Sequence, residues 1–470
     1  MGLGLGLHEK LTVLLYVGAV ASVILSLFRP QIGVYFLVPL LPLQTAREKL
    51  FDFPLGNNFV DILLAVILLS ALIHARGRLV PKTRLNVLLA TFVILTYISL
   101  WWGSYWLGVD APVRLDDPRL ATWKNYMVMP VLFFTVVAVI REPRQMKLLL
   151  ALMCLSLLAA DRAFYNSLQW RNLATFSNRL RDAGPLGFAG PNGFAAFVAQ
   201  MMVFLAALYG YQKKLGKLAI VGLLAITGYC LLYSYSRGAY LAVLVGLLFV
   251  GVLRERKILL LLIILLLAWQ VVLPLSVQER IFMTYQQDQG FEASGADRLR
   301  MWSDALEVFL HSPVFGTGFA TYRYMHRIEG YNDTHNLYLK VLVETGVVGL
   351  LLLLTLFAAA FILGYRLFRS SDDPFLASIG FGLAAMMVST VVLNVFGDRW
   401  TFYLQINGFL WTLLAFVVRG QALLEAKQAE HARESFRTAS IRLQPVPSWV
   451  AHQPHESEEA RHNIVAFARR

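Results

Sequence analysis

Charge and cysteine are both scarce in this chain. Only 15% of its 470 residues are charged, where soluble domains average about 25%. With 57% hydrophobic residues and a mean hydropathy of +0.59, it carries more apolar surface than a water-soluble fold can hide. An ordinary soluble domain is excluded, and lipid becomes the solvent. The two cysteines, Cys154 and Cys230, stand inside apolar runs, which argues against a disulfide framework or a thiolate metal site. A small-residue cleavage site is missing after the first apolar run, which leads into Arg29-Pro30 instead. That run is therefore expected to be a retained anchor.

What is present is a succession of long apolar runs. They cover about 11–28, 59–75, 85–107, 122–140, 146–160, 192–211, 216–234, 239–253, 257–275, 337–365, 376–397 and 401–418. A crossing helix needs roughly 17–25 such residues, so the expectation is an all-α, polytopic membrane bundle of about twelve helices. The shorter run at 31–43 either pairs with the first segment or forms a thirteenth crossing. Basic clusters at Arg76/Arg78/Lys82/Arg84, Arg141/Arg144/Lys147, Lys213/Lys214/Lys217, Arg254/Arg256/Lys257 and Arg366/Arg369 fall in alternate connections, and Arg419 follows the last run. One cytoplasmic assignment satisfies them all. The net charge of +13 is thereby explained without nucleic acid. Residues 1–420 read as the membrane domain, with a long outside loop at about 276–336 that contains helix. Residues 421–470 read as a cytoplasmic polar tail, an amphipathic stub followed by disorder. Asp61, Lys124 and Asp161 lie near run ends, where snorkelling is the simplest expectation.

Two outside loops lack lysine but not arginine. The 162–191 loop holds Arg162, Arg171, Arg179 and Arg181; the 276–336 loop holds Arg280, Arg298, Arg300, Arg323 and Arg327. Arginine alone has the planar fork that grips phosphate or carboxylate at two points. The bland alternative is pairing with loop acids such as Glu279, Asp288, Glu292, Asp304 and Glu307. Ser294 to Leu310 reads as a loop helix, with Ser294 and Asp297 resembling a capping box and Trp302 expected at the headgroup level. The loop returns to the membrane through Tyr331-Asn-Asp-Thr-His335-Asn-Leu, and Tyr233-Ser-Tyr-Ser-Arg237-Gly forms a hairpin tip. Topology thus brings Arg179/Arg181, Arg237, Arg298 and His335 to one interface. Glu344, about two turns beyond His335, is a charge in lipid that needs a partner.

The order of these motifs resembles the O-antigen ligase and Wzy-type polymerase superfamily. The residues are Arg…Gly…Pro-Asn (181–192), Ser-Arg-Gly-Ala (236–239), Arg-Leu-x-Met-Trp-x-x-Ala-Leu (298–306), Pro-x-x-Gly-x-Gly (313–318) and Thr-His-Asn-x-Tyr-Leu…Glu-x-Gly-x-x-Gly (334–349). The resemblance covers roughly 170–420 in detail. It implies a bacterial inner-membrane glycosyltransferase, metal-independent and without cofactor, whose site faces the periplasm. The donor would be a glycan on undecaprenyl diphosphate. By motif, His335 matches the histidine serving the acceptor, and Arg237 and Arg181 match the diphosphate arginines, with Arg179 as an alternative to Arg181. Arg298, Asp333 and Asn336 are expected to contact substrate, and Asp333 would orient His335 or compete with it.

Such a reaction builds charge on a departing diphosphate, which guanidinium groups stabilise. An acceptor hydroxyl must lose a proton, and an imidazole with an ordinary pKa of about 6.5 suits that step. A single displacement inverts the anomeric centre. The acceptor is expected to be lipid A–core (ligase), with a lipid-linked repeat (polymerase) or a protein hydroxyl as alternatives. A lipid-linked glycan transporter and an envelope scaffold are the readings from other classes. A transporter would place its polar residues near the midplane, whereas here they gather at one edge.

Overall fold

The computed structural model describes residues 7–52, 59–75, 77–114, 116–283, 285–286, 290–291, 293–328, 333–400 and 403–442. Arg76, Asp288, Glu292, Tyr331, Asn332 and the tail beyond Arg442 lie outside the described residues, so the expectations that fall on them stand where they were. The chain is helical, with one antiparallel pair of two-residue strands, Tyr285–Gln286 and Gly290–Phe291.

Among the described residues, nine helices are long and apolar enough to cross a membrane. Three of the twelve expected runs account for the difference. The runs at 59–75 and 239–253 form shorter apolar helices, Phe59–Ile73 and Arg237–Leu253. The run at 257–275 breaks before Pro274, and the Arg256–Val272 and Leu275–Phe282 helices meet at 103°. Proline lacks the amide that would continue the ladder, and it pushes the residue before it out of helical conformation. Leu273 has φ −82° and ψ 142°, as that constraint requires.

The 31–43 run forms the Pro30–Leu40 helix. At one end, Ser70 Oγ donates to the Leu27 carbonyl at 2.9 Å. Beyond the other, Gln405 Nε2 donates to Gln44 Oε1 at 2.8 Å. The segment therefore leads from one end of the bundle towards the other, which favours a separate passage over a return to the same end. Hydrogen bonds also join connections within each of the two expected sets. Arg419 donates to the carbonyls of Val137 and Leu79, joining two connections of the basic set. At the opposite end, the Phe176 amide donates to Glu279 at 2.6 Å and the Trp102 indole to the Gly316 carbonyl at 2.9 Å.

The three charged residues expected to snorkel all have polar partners. Lys124 pairs with Asp61 at 2.5 Å. Asp161 is fully buried, and Thr227 donates to its carboxylate at 2.6 Å. Burial without a polar partner is costly in lipid, so the hydroxyl is what holds the group inside.

The Leu337–Ser370 helix is broken at Gly346, which has φ 66° and ψ −166°. The break leaves carbonyls without helical donors, and the 313–319 loop supplies them: Thr317 N–H donates to Val343 and Gly318 N–H to Glu344, each at 2.8 Å. In return the Val347 amide donates to Pro313 at 2.9 Å. Such irregular backbone is tolerated at membrane depth only where protein re-satisfies it. Gly316 and Gly318 permit the contact, since a Cβ on Gly316 would stand 2.5 Å from the Glu344 backbone and one on Gly318 2.1 Å from Gly103 Cα. This docking fixes the long loop against the bundle.

By contacts, residues 1–421 form one unit and 422–470 another. The Leu404–Arg442 helix continues past Gln421, and its described residues beyond Leu424 as far as Ser435 are exposed.

Candidate active site

Several arginines of the outside loops fall into two groups. Arg171 pairs with Asp182 at 2.5 Å, and Arg327 pairs with Asp304 at 2.9 Å and Glu307 at 3.1 Å. Arg300 stands 4.0 Å from Asp297. These three follow the bland reading of surface ion pairs. Arg181, Arg237, Arg280 and Arg298 instead line one cavity of about 330 Å³, joined by Arg399 from the 394–403 connection.

Local structure explains how they meet. Ser236 is the N-cap of the Arg237–Leu253 helix, so the first turn of that helix, with its partial positive charge, opens into the cavity. Asn192, in the first turn of the Gly190–Tyr209 helix, accepts from Arg181 Nη2 at 2.7 Å and from Ser236 Oγ at 3.1 Å. One carboxamide oxygen thus ties the Pro-Asn turn to the Ser-Arg-Gly hairpin. Gly238 leaves room for the Phe396 ring, which a Cβ would meet at 2.7 Å. Arg280 is buried, lies 4.9 Å from the Phe176 ring centroid, and donates from Nε to the Tyr235 carbonyl at 3.4 Å. Leu241, Leu393 and Phe396 give the same cavity apolar walls.

His335 lines a smaller adjoining space of about 140 Å³ together with Asp333, Asn192, Arg298 and Arg399. Three of those residues also line the arginine cavity, so the imidazole and the guanidinium groups line neighbouring spaces with shared walls. Burial lowers the His335 pKa below its ordinary value. Asp333, with Oδ2 4.0 Å from Nδ1, opposes the shift, while Arg298 and Arg399 reinforce it. The result is an imidazole that is neutral at neutral pH, able to accept a proton. Arg399 is itself buried, and burial lowers its pKa, with Tyr403 and Asp398 opposing.

Three expectations change. Asn336 caps the Leu337–Ser370 helix, its Oδ1 accepting from the Tyr338 and Leu339 amides at 3.0 and 3.2 Å, and it lines none of the described cavities. Arg179 is exposed, lines none of them either, and contributes its carbonyl to Arg171. Trp302 turns inward instead of lying at the headgroups: its indole donates to the Thr334 carbonyl at 3.2 Å, linking the Ala293–His311 helix to the His335 segment.

The sequence does not single out Arg399 or the Lys340–Asp398 pair at 3.3 Å, and marks Asn192 only as part of the Pro-Asn motif. A signal existed for two of them. Asp398-Arg399 is a charge pair in the shortest connection of its side, and Lys340 follows His335 by little more than one helical turn. Glu344 lines a further cavity of about 230 Å³ with Lys340, Asp333 and His335, which places this acid beside the site.

Residues 222–354 match the family described as O-antigen ligase. No curated protein matches the chain. The matched segment contains Arg237, Arg280, Arg298 and His335, while Arg181 and Arg399 approach from outside it. The family points to glycosyl transfer in O-antigen or polysaccharide assembly. The match over this segment supports membership of the O-antigen ligase and Wzy superfamily.

Proposed function

We propose that the protein transfers a glycan from a polyprenyl diphosphate, of the undecaprenyl type, to an acceptor hydroxyl, with His335 as base and Arg237, Arg298, Arg181, Arg280 and Arg399 holding the diphosphate. The observation that carries this is that Asn192, Arg298 and Arg399 line both the His335 space and the cavity lined by the five arginines. A bond forms between the acceptor oxygen and the anomeric carbon as the bond from that carbon to the diphosphate oxygen breaks. The electron pair leaves with the diphosphate, where guanidinium groups and a helix N-terminus meet the growing charge. The proton passes from the acceptor hydroxyl to His335, and the single displacement inverts the anomeric centre.

Apolar walls beside the arginines suit a donor whose charged head is anchored by a hydrocarbon tail. The basic connections gather at the other end of the bundle, which supports a site on the periplasmic face of a bacterial inner membrane. Lipid A–core is the preferred acceptor, and a second lipid-linked repeat or a protein hydroxyl would use the same leaving-group chemistry. Deleting the gene and examining lipopolysaccharide separates them. Loss of all capped core indicates ligation, capping by single repeats indicates polymerisation, and unchanged lipopolysaccharide removes both. Transport of labelled lipid-linked glycan across vesicles without transfer would replace the enzymatic reading altogether.

A further inference from the structure

A cavity of about 440 Å³ lies between the 44–61 segment and the Pro118–Val139 helix, and shares no lining residue with the arginine cavity. It is nevertheless connected to the site. Thr122, Tyr126, Arg323 and Tyr403 line both it and the Glu344 cavity, which in turn reaches His335 and Asp333. His335 therefore stands between two spaces, one leading to the five arginines and one leading here. In a direct displacement the attacking oxygen approaches opposite the leaving group, so an acceptor has to enter by a space other than the arginine cavity.

Its chemistry is specific. Arg47, on the Gln44–Glu48 helix, has a buried Nε with no hydrogen-bond partner among the described residues. Burial lowers its pKa to about 10, with Glu48 opposing, which still leaves it cationic at neutral pH. Burying a guanidinium nitrogen without an acceptor is costly, and a ligand oxyanion would remove that cost. Arg323 adds a further cation to the lining, while Lys124 and Asp61 pair with each other. Gln44 and Gln405, linked at 2.8 Å, present carboxamides that suit sugar hydroxyls. The volume falls within the range of roughly 300–1,000 Å³ usual for small-ligand sites.

We infer that this cavity is the acceptor subsite and that Arg47 receives an oxyanion, phosphate or carboxylate, carried by the acceptor glycan. The inference rests on the glycosyl-transfer reading and names the substrate class for its second half.

The test uses the full-length protein in detergent, with equilibrium binding of glucose 6-phosphate, glucuronic acid, glucose, glycerol 3-phosphate and farnesyl diphosphate. Glucose 6-phosphate or glucuronic acid should bind at least about tenfold tighter than glucose, the gain expected of one charge-assisted hydrogen bond, and the tighter of the two identifies the oxyanion. Arg47→Gln should erase that gain and leave farnesyl diphosphate binding unchanged, and Arg47→Lys should restore part of it. No preference over glucose, equal binding of glycerol 3-phosphate (a lipid headgroup as occupant), or equal loss of both probes in Arg47→Gln would overturn the inference. Arg237→Gln serves as the reference, weakening farnesyl diphosphate alone. If it does not, the donor reading fails while the Arg47 result is still read independently.

Discussion

Tyr235 and His335 hold the same left-handed backbone conformation, at φ 53° and 50°, each one residue ahead of a helix N-cap. Residues with a Cβ seldom adopt it, at a cost of order 1–3 kcal/mol. Packing and hydrogen bonds hold both. The Tyr235 ring lies 5.0 Å from Phe176 and its hydroxyl donates to Ser276 at 3.2 Å, while Trp302 and Thr334 brace the His335 segment. The two strained residues deliver Arg237 and the imidazole to neighbouring spaces with shared walls.

Replacing His335 by alanine should lower transfer about 10²–10⁴-fold, the usual contribution of a positioned base. Transfer is measured in membranes matched for protein content. Activity within a factor of two of the parent would remove His335 from the mechanism.

As the proposed base, His335 would act in its neutral form, and its folded pKa is depressed, first by burial. Activity should therefore be complete at neutral pH and fall only as pH drops through a midpoint below about 6.5. Asp333→Asn removes the group that raises the value and should move this limb to lower pH, whereas Arg298→Gln should move it higher. A limb that stays put in both variants would show that another group titrates.

Arginines lining the cavity should separate sharply from those paired at the surface. Arg298→Ala or Arg237→Lys should reduce transfer about 10²–10³-fold, since lysine lacks the planar fork. Arg327→Ala breaks partly exposed ion pairs and should cost no more than about 1 kcal/mol, with transfer intact. Equal losses for Arg298 and Arg327 would contradict the division.

Lys340 and Asp398 form a pair at 3.3 Å, with side chains 14% and 2% exposed. Asp398→Leu alone strands a buried ammonium and should destabilise by about 3–5 kcal/mol. Adding Lys340→Met should recover much of the loss. Thermal unfolding in detergent gives the answer, and additive losses would argue against direct coupling.

Gly346→Ala places a Cβ 2.2 Å from the Val314 carbonyl on a residue at φ 66°. The 313–319 loop should undock, seen as faster proteolysis of that loop together with reduced transfer. A protected loop with normal transfer would mean the docking does not support the site.

Much of this was legible beforehand. Nine of the expected runs are long helices because hydropathy and length are local properties. His335, Arg237 and Arg298 stood out because charge is rare in the apolar surroundings. Arg399 was equally visible as a charge, yet no spacing ties residue 399 to residue 237; only the packing of their helices does. Arg181 was preferred with Arg179 as its alternative, and only the turn around Leu180, which buries Leu180, aims Arg181 at Asn192 and leaves Arg179 exposed, tells their surroundings apart.

By itself the sequence determined that this protein lives in lipid, and which connections share a side. Backbone amides in hydrocarbon must bond within their own segment, so each apolar run dictates its own helix. Tertiary structure decided which arginines share a cavity, that Trp302 turns inward, and that Arg47 lines a separate cavity with no residue in common with theirs. Those are relations between distant segments, set by the joint fit of helices and loops, and no local pattern encodes them.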